Sequence, residues 1–314
     1  MQSSARKVVI LGTGGTIAGT AASAADHTGY MAAQLGVAQL VAAVPPLAGV
    51  PIETEQVAQI DSKDMDVTVW IALAQRAAFH LSRPDVAGIA VTHGTDTLEE
   101  TAYFLQRVLA PAKPLVLAAA MRPATSLQAD GPQNLLDAVT VVQVPGARGV
   151  VAVLAGAVHS AHDLRKRHSY RVDAFGSGDA GVLAHVEEGR LRQLRDWPRG
   201  EPLGLARLAA PPWPAVDIVT SHAGASGALV RAAVASGVRG LVVAGTGNGT
   251  VHHELLSALL DAQRAGVTVW RCTRCLDGPV LPRPDDVLPG AGMLTPVQAR
   301  IELQLRLMAS APDR

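Results

Sequence analysis

Two short segments of the chain hold more reactive side chains than their backbone requires. Gly12-Thr13-Gly14-Gly15-Thr16 follows an apolar run at residues 8–11, and Thr92-His93-Gly94-Thr95-Asp96-Thr97 ends another at residues 88–92. A glycine-rich turn after a strand can cradle phosphate. Here, however, Ile17 stands where a dinucleotide fingerprint needs glycine, and no Gly-Lys-Ser/Thr follows to make a P-loop. What remains is either a plain glycine-rich turn or one whose glycines clear space around the Thr16 hydroxyl. Such a hydroxyl becomes a nucleophile once a neighbour accepts its proton. In the second segment, hydroxyl, imidazole and carboxyl groups crowd around Gly94. An N-capped helix start accounts for Asp96 or Thr97 but not for the whole cluster. His93 taken alone reads as a hydrogen-bonded core imidazole.

Residues 20–29 are mostly small or polar and lead to Tyr30, one of only three tyrosines. A stretch that buries so little surface is either an ordinary surface loop or a lid that docks over a bound molecule. Two more segments carry polar groups: Ala120-Met121-Arg122-Pro123 with Ser126 and Asp130-Gly131-Pro132, and Lys166 within the basic run at residues 163–168. Spacing alone makes the second a solvated basic loop.

The elements that must position these groups alternate between two kinds. Apolar runs at residues 8–11, 88–92, 115–120 and 149–154 read as buried strands, and residues 66–81 and 97–109 read as helices. That alternation predicts a parallel sheet with crossover helices, in which ligands gather outside the carboxyl ends of the strands. Asp96 precedes the second helix, and Glu99 and Glu100 fall in its first turn, where the helix dipole favours them. Between residues 190 and 214 the pattern gives way to prolines, arginines and tryptophans, unsuited to a helix interior or a central strand. Beyond it, strands are expected at 215–220, 240–245 and 267–271, with helices at 227–236, 252–265 and 296–308. The expected fold is α/β: a larger parallel-sheet domain over residues 1–192 holding both threonines, a linker at 193–214, and a smaller α/β domain at 215–314.

Of the 314 residues 48% are hydrophobic and only 3% aromatic, so Val, Leu, Ile and Ala must fill the core. Lys plus Arg (27) balance Asp plus Glu (27), which removes the electrostatic case for nucleic acid or an anionic membrane and suits a small neutral or zwitterionic substrate. No apolar run reaches the roughly 18 residues of a membrane span, and no signal-peptide pattern is present, so a cytoplasmic location is expected. Cys272 and Cys275 form a lone Cys-x-x-Cys; zinc would need two further ligands and the flanking sequence is not the usual context of a redox pair, so reduced thiols are the reading preferred over a redox pair, and no metal or cofactor is expected.

Taken in order, the Thr13-Gly14-Gly15-Thr16-Ile17-Ala18-Gly19 run, Asp61-Ser62-x-Asp64-Met65, the Thr92–Thr97 segment continuing to Glu99-Glu100-Thr101-Ala102, and Ala120-Met121-Arg122-Pro123 resemble the bacterial L-asparaginase family. So do Ala129-Asp130-Gly131-Pro132-x-Asn134-Leu135, Gly245-x-Gly247-Asn248-Gly249 and the segment from Gly292 to Arg300. The resemblance spans roughly residues 7 to 307. It implies a two-domain α/β fold and a homotetramer with active sites between the subunits of an intimate dimer. It also implies hydrolysis of the L-asparagine side-chain amide to aspartate and ammonia through an acyl-threonine. On this likeness Thr16 is the nucleophile with Tyr30 beside it, and Thr95, Asp96 and Lys166 form a second catalytic group. Ser62, Thr95 and Asp96 match substrate-binding positions, and Asn248 matches one near the intersubunit side. Backbone N–H groups near Thr95 and Ala120 are expected to meet the oxyanion, where losing one donor typically costs about 3 kcal/mol. The order in which the two threonines attack stays open.

Two departures touch substrate recognition. Lys63 stands where relatives often carry Gln or Glu; a lysine within about 4 Å of the substrate ammonium would repel it by roughly 1 to 4 kcal/mol, so Lys63 must point away or pair with an acid such as Asp64. The second-domain glutamate of secreted relatives is replaced by Pro279-Val280-Leu281-Pro282, with Asp285 and Asp286 the nearest acids. Weak asparagine affinity and low glutaminase activity are expected. Two rival readings stand beside the asparaginase one: an amidase or aminoacyl-tRNA amidotransferase subunit of the same fold, disfavoured by the neutral charge and lack of an N-terminal extension, and an amino-acid sensor that keeps the pocket and has lost catalysis. Loss of Thr16, Thr95, Asp96 or Lys166 would mark the sensor, and all four are present.

Overall fold

The computed structural model describes residues 6–309, which fall into two compact units dividing after Leu205. The first unit runs β1 (Lys7–Gly14), α1 (Val37–Ala42), β2 (Ile52–Ile60), α2 (Val67–Ser82), β3 (Val86–Thr92), α3 (Leu98–Leu109), β4 (Pro114–Ala118), α4 (Gly131–Val142) and β5 (Gly149–Leu154). It continues through β6 (Ala157–Ser160), β7 (Arg165–Lys166), β8 (Phe175–Gly176), β9 (Ala184–Glu187) and β10 (Arg190–Gln193). The second holds β11 (Val216–Thr220), α5 (Ala228–Ala235), β12 (Gly240–Gly245), α6 (His253–Arg264), β13 (Thr268–Thr273) and α7 (Pro296–Ala309).

In the first unit an eight-stranded sheet has the order β10-β9-β6-β5-β4-β3-β1-β2. Strands β5, β4, β3, β1 and β2 are mutually parallel, whereas β6, β9 and β10 add an antiparallel flank that the apolar runs did not announce. Val8, Val9, Ile10 and Leu11 are all fully buried, because a central parallel strand is covered on both faces. Helices α1 and α4 pack on the face bearing Val8, Ile10, Ala90 and Val116. Helix α2 meets α3 through the stacked rings of Trp70 and Phe104, 5.0 Å apart, with the Trp70 indole N–H donating to the Thr101 hydroxyl. The chain leaves β1 to one side for β2 and returns to the other side for β3, so a topological switch point lies between β1 and β3.

The stretch expected as a linker is shorter than its composition suggested. Residues 190–193 form β10, Trp197 packs on the core, and the backbone N–H groups of Leu203 and Gly204 donate to Arg107 and Val108 at 2.8 and 3.0 Å. Pro198 lies against Gly149, so the part of this stretch up to Leu205 is laid over the first unit. The second unit is a three-stranded parallel sheet, β11-β12-β13, with α5 and α6 sharing a core with Leu241 and Val243, and α7 packing through Ala299 and Leu303 beside Val242. No helix among the described residues is long and apolar enough to cross a membrane. Cys272 and Cys275 are free thiols; burial pushes the Cys272 thiol up to about 12, which keeps it protonated and inert.

Two buried imidazoles make the fold sensitive to acid. His93 and His159 are 0% and 2% exposed, and burial lowers each to about 4. An unfolded histidine takes its proton near 6.5, so the neutral form is the one that folding favours. This contribution is complete above pH 6.5, is lost as pH falls, and is gone below 4; per imidazole it is on the order of 3 kcal/mol. Glu99, raised by burial to about 7, works in the opposite sense over part of that window. Thermal melts from neutral pH down to about 4 are therefore expected to show a smaller acid-induced fall for His159→Gln than for the unsubstituted protein. Equal falls in both would refute the assignment.

Candidate active site

The turns leaving β1, β2 and β3 are laced together at the carboxyl edge of the sheet. The Thr13 hydroxyl donates to the Thr92 carbonyl at 2.9 Å, and the Gly15 N–H donates to Ile60 at 2.8 Å. Ser62, 2% exposed in the short turn after β2, bridges to the third loop: its Oγ accepts the Asp96 N–H at 3.1 Å and its carbonyl accepts the Thr97 hydroxyl at 2.8 Å. Thr97, rather than Asp96, is the N-cap residue of α3, and its hydroxyl serves Ser62 instead of capping the helix.

Glycine is required where two of these loops touch. A Cβ on Gly15, whose φ is +83°, would lie 2.3 Å from both the Cα and the N of Gly94. One on Gly94 would lie 2.3 Å from Ser62 Oγ. The backbones of the two loops are thus in direct contact, and each loop places a threonine one residue later: Thr16, 6% exposed, and Thr95, 5% exposed.

Around those threonines lie the other groups that the sequence singled out. Thr16 Oγ1 and the Tyr30 hydroxyl are 2.7 Å apart. The Lys166 ammonium, on β7, donates to Thr95 Oγ1 at 3.0 Å and to Asp96 Oδ1 at 2.6 Å. Asp96 is half exposed, which leaves carboxylate oxygen available to a ligand. His93 is not among the reactive groups. Its Nδ1 bonds the Gly94 carbonyl at 2.7 Å, and burial lowers it to about 4, so it stays neutral and supports the loop. Asn248 belongs to the second unit, where its amide donates to the Leu281 carbonyl at 3.1 Å and accepts the Leu281 N–H at 2.7 Å.

Residues 20–31 form a docked segment rather than a loose loop. Thr20 and Met31 pair through two backbone bonds of 2.9 Å. Ala21 N–H donates to Thr125 Oγ1 at 2.9 Å, Leu127 N–H donates to Ala24 at 3.2 Å, and His27 Nδ1 meets Ser126 Oγ at 3.1 Å. The turn that receives it is held by Asp130, whose carboxylate accepts the N–H groups of Met121 and Arg122 at 3.0 and 2.9 Å. Burial raises the Asp130 pKa against those bonds. Asn134 completes the brace, donating to Ala119 at 2.8 Å and accepting from Ala155 at 2.9 Å. Asp130 and Asn134 were visible as a motif but had no assigned task; Glu99 had been read only for its place at a helix start.

The two departures also have structural counterparts. Lys63 is 61% exposed and pairs with Asp64, with Asp61 3.8 Å away. Asp285 and Asp286 are engaged by Arg283 and Arg271 respectively. Among the described residues no group of three or more His, Cys, Asp and Glu side chains is arranged to hold a metal ion. An open concavity of about 680 Å³ lined by Arg6, Lys113 and Arg148 lies at the opposite, amino end of the strands, away from these loops.

Residues 7–199 match the family described as Asparaginase, N-terminal, and residues 215–313 match the Glutaminase/Asparaginase C-terminal domain. The chain is 37% identical to L-asparaginase 2 of Escherichia coli over 96% of its own length and 88% of that protein. It is 38% identical to a glutaminase-asparaginase of Pseudomonas fluorescens over 94% of its length and 84% of that protein. A crystal structure of a probable cytoplasmic L-asparaginase from Campylobacter jejuni superposes with a TM-score of 0.91 at 36% identity, covering 97% of this chain and 96% of that one.

Proposed function

Since the chain belongs to the asparaginase family, we propose that it hydrolyses the side-chain amide of L-asparagine to L-aspartate and ammonia, with Thr16 as the nucleophile. The observation that carries this reading is that two loops in backbone contact present Thr16, met by Tyr30, and Thr95 with Asp96, both met by Lys166. Thr16 Oγ1 attacks the amide carbon as its proton passes to Tyr30 and on to the leaving nitrogen. Ammonia departs and an ester on Thr16 remains. Water adds to that ester, giving aspartate and restoring the hydroxyl. The Lys166 ammonium lowers the proton affinity of the Thr95 oxygen, so the Thr95 hydroxyl gives up its proton more readily than an ordinary threonine and recovers one later in these steps. Asp96, held by Lys166 and by its own N–H to Ser62, offers its remaining oxygen to the substrate ammonium, while the Ser62 hydroxyl suits the α-carboxylate.

Substrate grip follows from the departures. Asp64, Asp61 and Asp96 all stabilise the charged form of Lys63, so its charge is partly neutralised yet stays within electrostatic reach of Asp96. Replacing Lys63 with Gln is expected to lower KM for L-asparagine by about twofold to fivefold with kcat little changed. An unchanged KM would show that Lys63 plays no part in substrate binding. With Asp285 and Asp286 occupied by arginines, L-glutamine, one methylene longer, is expected to be used with kcat/KM at least about tenfold below that of L-asparagine. Ammonia release from L-asparagine, L-glutamine and D-asparagine tests the whole reading. Absence of release from L-asparagine by the pure protein would overturn it.

The proposal extends to a cytoplasmic homotetramer whose active sites are completed between subunits, with Asn248 near that junction. Exposed apolar side chains such as Leu127 (85%) and Leu229 (72%) are in keeping with assembly. Light scattering at low concentration checks the stoichiometry.

A further inference from the structure

Lys166 is gripped at both ends. Its ammonium meets Thr95 and Asp96, and its backbone N–H donates to Glu99 Oε2 at 3.3 Å. The second contact is unusual in its geometry. Strands β7 and β8 are only two residues each, paired Arg165 to Gly176 and Lys166 to Phe175. Arg167 N–H continues that ladder to Ala174 at 2.7 Å. Alternate N–H groups of an antiparallel pair point away from the partner strand, so the Lys166 N–H faces outward, and Glu99 is what it meets. A ribbon this short has little stability of its own. Glu99 sits in the first turn of α3, three residues after Asp96 and four after Thr95. One helix start therefore holds Lys166 by its main chain and by its side-chain tip.

We infer that Glu99 is a positioning residue of this site: its carboxyl fixes the β7 backbone so that the Lys166 ammonium reaches Thr95 and Asp96 together. The inference rests on the asparaginase reading for its kinetic arm and on geometry alone for its structural arm. Burial raises the Glu99 carboxyl to about 7, with Glu100 on its own helix adding to the shift and Arg165 and Lys166 from the ribbon opposing it. The ionised carboxylate accepts an N–H more strongly than the acid. The grip on Lys166 therefore tightens as pH rises through neutrality, and kcat should rise with it.

Three proteins decide the matter: wild type, Glu99→Gln, which keeps an acceptor oxygen but cannot ionise, and Glu99→Ala, which removes it. In the alanine variant kcat for L-asparagine is expected to fall about tenfold to a hundredfold with KM changed less than about threefold. The glutamine variant is expected to stay within about fivefold of the wild-type plateau and to lose the rise of kcat centred near pH 7. Amide hydrogen exchange at Lys166 is expected to quicken at least about tenfold in Glu99→Ala and little in Glu99→Gln. Wild-type kcat in the alanine variant, an unchanged pH limb in the glutamine variant, or unchanged exchange at Lys166 would each overturn the inference. Should the alanine variant fail to fold, the pH limb of the glutamine variant decides. Should wild type release no ammonia, the functional reading falls and the exchange measurement still judges Glu99.

Discussion

Thr16→Ala is expected to reduce ammonia release from L-asparagine at least about a hundredfold while leaving the fold in place. The hydroxyl's protein partner is the Tyr30 hydroxyl at 2.7 Å, and an alanine would occupy the same short turn next to Ile17 and Ala18. Its loss costs one hydrogen bond, worth about 1 kcal/mol of stability. Catalysis loses the atom that bonds to the substrate. Thr16→Ser keeps that oxygen and should recover a substantial share of the activity. The measurement is kcat and KM for all three proteins beside their melting temperatures. An alanine variant within about tenfold of wild type would remove Thr16 from the nucleophile's role and point to Thr95.

Gly15→Ala should damage both activity and stability. The added methyl would sit 2.3 Å from the Cα and N of Gly94, and a backbone contact cannot be relieved by turning a side chain. Residue 15 also holds φ at +83°, a conformation that costs an alanine about 1 kcal/mol or more. Separating the loops moves Thr16 away from Thr95, and a displacement of about 1 Å in a reacting constellation can cost a hundredfold in rate. We expect loss of activity by at least that factor, about, together with a lowered melting temperature. Gly49→Ala is the control: no atom lies within 4 Å of its added methyl, and both readouts should stay near wild type. Full activity in Gly15→Ala would show that the contact between the loops does not set the site.

The parts of this architecture that could be read from residues alone are those with strong local patterns. Central strands such as β1 and β3 are covered on both sides, so they appear as unbroken apolar runs. The edge strand β2, Ile52-Glu53-Thr54-Glu55-Gln56-Val57-Ala58-Gln59-Ile60, is partly exposed along its length and mixes acids with apolar residues, and it went unrecognised. Strands β6, β9 and β10 are four residues each and owe their direction to neighbours rather than to pattern. Lys166 by spacing looked like part of a solvated loop; it acquires its meaning from Thr95, 71 positions earlier. The tasks of Glu99 and Asp130 were hidden because they hold main-chain N–H groups, which no side-chain motif reveals. The reactive cluster was legible only through the company of several motifs, since each one alone resembles an ordinary turn or helix start.

The docked segment at residues 20–31 carries a consequence for how fast the protein can trade with its surroundings. Its fastenings are polar and few, and Ser23, Ala24 and Ala25 within it are exposed. A segment so fastened opens at small cost, and while it is docked the Thr16 hydroxyl that Tyr30 meets is nearly sealed from bulk water. Where opening of this flap is slower than the chemistry, the passage of amide inward and acid outward sets a ceiling on throughput that no sharpening of the bond-making groups can raise.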